Sequence, residues 1–145
     1  MHYKLTTETK TRFGITLHRI EALVDMPWHG VRTGDKGGWV QSTQNLQKKA
    51  WVSGNAWVYG DARVYGNAQV YGKAKLSKPS DIRCISGFTF YITRTKGYAV
   101  IGCKRLSIKQ WLAMPLSEAE GLGLPKEEYE SIRTILQATR IRSSK

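Results

Sequence analysis

The sequence predicts a mainly β chain in three parts: an N-terminal β-hairpin cap and loop over residues 1–37, a short β-helix of hexads over 38–79, and a C-terminal α+β module, a hairpin plus two helices, over 80–145. Three observations carry this. From Ala50 to Lys73 the chain reads Ala-x-Val-x-Gly-x in four unbroken hexads. Before the repeat lie apolar/polar alternations with strand character, and after it the short period stops and helical spacing takes over. A fixed short period marks a chain that winds on itself, because no single hexad buries its own apolar side.

The repeat fades but continues at both ends, giving seven hexads with an aliphatic third residue: Val40, Leu46, Val52, Val58, Val64, Val70 and Leu76. Side chains alternate along a short strand, so the Ala and Val positions face inward, the second and fourth positions face out, and Gly takes the corner. If three hexads make one coil, residues eighteen apart stack. Val40, Val58 and Leu76 then form one inner column, Leu46 and Val64 a second, and Val52 with Val70 a third. Outward residues sort the same way. One face carries Trp39, Gln41, Trp57, Tyr59, Lys75 and Ser77; a second carries Asn45, Gln47, Arg63 and Tyr65; the third carries Trp51, Ser53, Gln69 and Tyr71. Large aromatics on an outer surface call for a cover, and the row Trp39, Trp57, Tyr59 fits an oligomer interface, packing under the C-terminal module, or a stacking face for a ligand.

Upstream, His2–Thr6 reads as a short strand and Ile15–Val24 as a second, with a threonine-rich link between them suiting a hairpin. Pro27, Gly30, Gly34, Gly37 and Gly38 mark a loop. This segment is expected to cap the first coil, whose strand edges would otherwise stay open. Downstream, Phe88–Thr93 and Tyr98–Cys103 flank Lys96-Gly97 as a hairpin. Ser107-Ile108-Lys109-Gln110 has the form of a capping box, starting a short helix with Trp111 and Leu112. Pro125 suits the first turn of a last helix to about Arg140, with Tyr129, Ile132, Ile135, Leu136 and Thr139 on its apolar side.

The formal net charge of the 145 residues is +12 and the pI about 9.9. The charge is unevenly spread. Residues 83–109 carry Arg83, Arg94, Lys96, Lys104, Arg105 and Lys109 with no acidic residue, and the hexads carry Lys48, Lys49, Arg63, Lys73, Lys75 and Lys78 against Asp61. Such a field favours an anionic partner and argues against a nucleic-acid mimic. No apolar run approaches the length of a membrane span and the polar N-terminus does not read as a signal peptide, so no membrane role is expected. Cys84 and Cys103 make neither a disulfide framework nor a zinc pattern and are expected as reduced thiols.

The hexads resemble the left-handed β-helix of hexapeptide-repeat proteins, and the resemblance supplies the hand. More closely, 17–23 (Leu-His-Arg-Ile-Glu-Ala-Leu), 34–40 (Gly-Asp-Lys-Gly-Gly-Trp-Val), Asn45-Leu46 and Ala50-Trp51-Val52 resemble a family of small proteins encoded by tailed bacteriophages and prophages. Ile101-Gly102-Cys103 with Ser107-Ile108-Lys109-Gln110-Trp111 looks like the C-terminal module that follows the repeat in many of them. The resemblance covers most of the chain. It implies residence in the cytoplasm of an infected bacterium and assigns no activity.

Hexapeptide-repeat acyltransferases offer an enzyme reading: trimers with a histidine base beside an acyl-CoA. A general base must reach its proton, but His2, His18 and His29 all lie outside 38–79, and only His29, in Pro27-Trp28-His29-Gly30, sits in a loop where a site might be built. No nucleophile triad, phosphate loop or metal-ligand spacing is legible, and Gly34-Asp35-Lys36-Gly37-Gly38 is not a Walker pattern. The expectation is therefore a protein that is not an enzyme and needs no cofactor or metal. It would be a homo-oligomer, dimer or trimer, inhibiting a bacterial defence system by sequestering or blocking nucleic acid, a signalling nucleotide or the acidic face of a host defence protein. Contacts are expected at Arg83, Arg94, Lys96, Lys104, Arg105 and Lys109, with Trp39, Trp57 and Tyr59 as the aromatic face. A minor virion or assembly component is the third reading, weakened because so few coils make a poor rod.

Overall fold

The computed structural model describes residues 1–47, 49–102, 104–139 and 141, so Lys48, Cys103 and Arg140 lie outside the described residues. The chain is mainly β with a helical C-terminal part, and it divides into two compact units, Met1–Ile82 and Arg83–Lys145.

In the first unit a long hairpin, β1 (Tyr3–Arg12) and β2 (Ile15–Ala22), precedes β3 (Lys36–Val40), β4 (Trp51–Val52), β5 (Trp57–Val58), β6 (Gln69–Val70) and β7 (Lys75–Leu76). The hexads return to parallel register every eighteen residues: Trp39 pairs with Trp57 and Trp57 with Lys75, Leu46 bridges Val64, and Trp51 pairs with Gln69. Backbone bonds join one turn of the chain to the next, as in Trp39 N–H to Ala56 O at 2.9 Å, Gln47 N–H to Val64 O at 2.9 Å and Ser53 N–H to Val70 O at 2.8 Å. The inner columns are as their spacing demands: all seven aliphatic third residues and Ala50, Ala56, Ala62 and Ala68 are buried. Gly38 stands where later hexads have Ala because a Cβ there would meet Ala56 O and Val52 Cγ1 at 2.7 Å.

The hairpin is longer than expected. The threonine-rich stretch is not a link but part of β1, which continues through a register irregularity between Leu5 and Thr9; the turn is Phe13-Gly14. The stretch 6–12 holds no apolar residue, so alternation there leaves no hydrophobic signal. β2 then pairs antiparallel with β3 (His18 with Val40, Arg19 with Trp39), giving a sheet in the order β1-β2-β3-β5-β7. The other two starting edges are met by side chains. The Tyr3 hydroxyl donates to Leu46 O at 2.7 Å, His2 Nε2 lies 2.8 Å from Ala50 O, and His29 Nε2 lies 2.6 Å from Lys49 O. Carbonyls that would be orphaned at the first coil thus find donors.

This cover changes the outer faces. Asn45, Trp51 and Gln69, read from alternation as outward and exposed, are buried. Asn45 lies between successive turns, its Nδ2 donating to Ala62 O at 2.8 Å and its Oδ1 accepting from Ser42 N–H at 2.9 Å.

The second unit is an antiparallel sheet, β8 (Arg83–Ile85), β9 (Ile92–Thr95), β10 (Tyr98–Ile101) and β11 (Lys104–Ser107), in the order β11-β10-β9-β8, followed by α1 (Ile108–Ala113), α2 (Leu116–Gly121) and α3 (Lys126–Ala138). Thr95 pairs with Tyr98 across Lys96-Gly97, the expected turn, but the first arm is displaced: β9 begins at Ile92 rather than Phe88. The expected capping box forms, with Gln110 N–H donating to Ser107 Oγ at 3.1 Å and Ser107 N–H to Gln110 Oε1 at 2.9 Å. Pro125 is the residue before α3 rather than within its first turn. Ile92, Ala99 and Ile101 of the sheet pack with Trp111, Met114, Ala119, Leu124, Ile132 and Leu136 in one core. α2 is a third helix beyond the two expected; its Leu-Ser-Glu-Ala-Glu-Gly sequence offers too few apolar residues for a helical stripe.

Candidate functional site

Sheet register decides which of the expected basic residues can act together. Successive residues on a strand face opposite sides. Arg83 pairs with Arg94, Arg94 with Ala99 and Ala99 with Leu106, on the side that carries the core residues Ile92 and Ile101; Lys104, opposite Ile101, belongs to that side as well. Arg105 is opposite Val100 and shares the other side with Tyr98 and Ser107.

Arg94 is only 3% exposed, so it cannot meet a partner at the surface as the net charge alone implied. One guanidinium nitrogen donates to Thr95 O, while Nε has no hydrogen-bond partner among the described residues. Burial first, and then the Arg83 charge across the strand pair, lower its pKa. Arg83 itself is half-buried.

The remaining basic residues fall at two ends of the sheet. At the turn end, Lys96 is exposed in the hairpin turn, and the Arg105 guanidinium stacks 3.8 Å from the centre of the Tyr98 ring. Ile108 N–H donates to Gly97 O at 2.9 Å, which brings the start of α1, and with it exposed Lys109, to the same end. Lys96, Arg105 and the start of α1 with Lys109 therefore lie at the Tyr98 end of the sheet, with Arg105 against the Tyr98 ring. Exposed Lys104 begins β11 at the opposite end. No carboxylate occurs in the sequence between Asp81 and Glu118, so the turn end has no acidic neighbour in its own stretch of chain.

The aromatic row is placed differently. Trp39 is 5% exposed; Trp57 and Tyr59 are half-buried. The Lys10 ammonium lies 4.0 Å from the Trp39 ring centre, Arg19 lies 5.4 Å from it, and Lys75 lies 4.4 Å from that of Trp57. Cations attracted to the negative ring faces thus supply the cover that bare tryptophans would lack. The hairpin strand β1, which brings Lys10 here, carried no signal in the sequence that it would do so.

His29 has both ring nitrogens engaged. A carbonyl only accepts, so Nε2 bears the proton and donates to Lys49 O; Nδ1 then accepts from Gln69 Nε2 at 2.5 Å. Burial, the largest cause, lowers its pKa. His2 is held low by burial in the same way. Among the described residues no group of three or more His, Cys, Asp or Glu is placed to hold a metal, and no described helix is long and apolar enough to cross a membrane. Cys84 is half-buried on β8, and Cys103 lies outside the described residues. No protein-family model matches this chain, and no curated protein matches it.

Proposed function

We propose that this chain is a phage-encoded binding protein, not an enzyme, that inhibits a bacterial defence system in the infected cell by blocking or sequestering an anionic target. The observation that carries the reading is that Lys96, Arg105 and Lys109 lie at one end of the sheet, with Arg105 against the Tyr98 ring, in a stretch of chain without carboxylates. Long cationic side chains beside an exposed aromatic suit a flat anionic surface or a stacked base: charge supplies salt-dependent attraction and the ring supplies contact area. Two further points support it. His29, the histidine best placed by sequence for acyl transfer, uses both nitrogens to hold the backbone and Gln69, leaving no lone pair for a substrate proton. The hexads, which we take to wind as the left-handed β-helix of hexapeptide-repeat proteins, then act as a rigid scaffold, with a homo-oligomer as the working form.

Affinity capture from infected bacterial lysate tests the reading directly. The full chain is expected to retain a partner at low salt and to release it near 0.5 M salt, where screening confines charge attraction to about 4 Å or less. The triple variant Lys96→Glu, Arg105→Glu, Lys109→Glu should lose that partner while keeping its fold. A partner retained equally by the triple variant, or one insensitive to salt, overturns the proposal.

A further inference from the structure

The C-terminal unit contains a cleft of about 350 Å³ lined by Phe90, Ile101, Gly102, Lys104, Trp111, Leu122 and Leu124. Its floor is part of the packed core, since Ile101, Trp111 and Leu124 are buried, while Leu122 and Lys104 are exposed. Gly102 keeps one wall close: its φ is +65°, and a Cβ there would come within 3.0 Å of the Phe90 ring. A Cβ at Gly123 would also meet the Phe90 ring, at 3.4 Å, so the ring lies between Gly102 and the loop after α2.

The chemistry of the lining is narrow. The Trp111 indole N–H donates to Ala99 O at 2.9 Å, and the Gly102 N–H donates to Tyr91 O at 3.0 Å. Neither is available to a ligand. Among the described lining residues Lys104 is the one charged side chain, and it is exposed. An occupant must therefore be apolar over most of its surface and negative at one end. A nucleobase fits poorly, because its ring-edge donors and acceptors would be buried without partners. The volume lies at the lower end of the range for small-molecule sites.

We propose that this cleft binds a small amphipathic organic anion, an aliphatic or aryl carboxylate, with its hydrocarbon body against Phe90, Trp111 and Leu124 and its carboxylate at the Lys104 ammonium. The inference stands apart from the anionic-target reading, whose contacts are Lys96, Arg105 and Lys109 at the other end of the sheet. Failure of either leaves the other intact.

Octanoate, octan-1-ol and adenosine monophosphate are the probes, each titrated into the full chain with amide and indole N–H resonances followed by NMR. Octanoate is expected to shift Gly102 and the Trp111 indole saturably. Octan-1-ol should bind the same residues about fivefold to tenfold more weakly, a modest ratio because Lys104 is solvent-exposed. Lys104→Ala should bring octanoate down to the level of the alcohol, and Leu122→Glu, which sets a carboxylate at the mouth, should abolish octanoate binding while leaving the spectrum of the core unchanged. Equal binding of acid and alcohol by the unaltered protein, preference for adenosine monophosphate, shifts confined to other residues, or no saturable shift by about 10 mM would each overturn the proposal.

Discussion

The two units differ in how far their positive charge is met by carboxylates. In Met1–Ile82, cations are absorbed locally: Lys4 and Lys36 pair with Glu21, Arg19 pairs with Glu8, and Lys10, Arg19 and Lys75 lie against tryptophan rings. In the C-terminal unit the stretch 83–117 offers no carboxylate at all, one arginine is withdrawn into the interior, and three basic residues collect at the turn end of the sheet. Two regions of similar basic composition thus differ in what their charge can do. The first uses it to close a fold. The second gathers part of it in a stretch of chain that has no carboxylates.

The contrast can be broken or sharpened experimentally, and the largest effect should come from the first unit's inner columns. Leu46 is fully enclosed, so Leu46→Ala should destabilise the protein by about 2–5 kcal/mol in urea unfolding. A loss under about 1 kcal/mol would mean that the columns are not the source of stability. In the second unit the buried charge should behave in the reverse sense. Arg94→Met removes a buried guanidinium with an unpartnered Nε, and it should be neutral or stabilising by about 1–4 kcal/mol. A large loss of stability on this change would show that Arg94 is well compensated and would erase the contrast.

The pH dependence probes the cap of the first unit from both sides. Burial pushes the Tyr3 hydroxyl up to about 12. The unfolded chain then loses this proton before the folded one, so stability should fall from about pH 10 to 12, by roughly 2–3 kcal/mol. Tyr3→Phe should flatten that decline; an unchanged slope assigns it to other groups. His29, with its pKa lowered, acts in the opposite sense: its contribution is present above about pH 6.5 and is lost as the pH falls through its folded value, because the unfolded chain binds the proton first. His29→Gln should reduce acid sensitivity in thermal unfolding below that pH, although the loss of its bond to Lys49 O lowers stability at neutral pH. The smallest effect is expected at Lys10→Ala, about 0.5–1 kcal/mol, through its contact with Trp39. No change in Trp fluorescence or stability there would remove the cation-on-aromatic half of the comparison.

What could be read in advance followed local chemistry. The eighteen-residue register, the Lys96-Gly97 turn and the Ser107–Gln110 capping box all announce themselves within a few residues, because spacing, turn conformation and end-capping are local constraints. The covering of Asn45, Trp51 and Gln69 could not be read this way. It depends on partners distant in sequence: Asn45 bonds Ala62 O on the next turn, Gln69 bonds His29, and Tyr3 and His2 of the hairpin reach the carbonyls of Leu46 and Ala50. The same limit applied to the basic residues. Composition counted Arg94 with the others, but strand parity places it beside Ile92 on the core side, whereas Arg105 falls with Tyr98 on the opposite one. The division of the six candidates into buried Arg94 with half-buried Arg83 across from it, Lys104 at one end of the sheet, and Lys96, Arg105 and Lys109 at the other is a property of pairing register, and β8 and β11, which establish that register, are too short to be seen in the sequence.

The parallel return of Trp39, Trp57 and Lys75 also sets a unit of growth for the first region. An insertion of eighteen residues would bring every later residue back to its own ladder, whereas six would hand each one to the next ladder and present different side chains to Lys10 and the cap. Lengthening this protein is therefore a matter of whole turns, like adding floors rather than steps, and a chain that gained or lost a single hexad would have to rewrite its outer residues to keep its tryptophans covered.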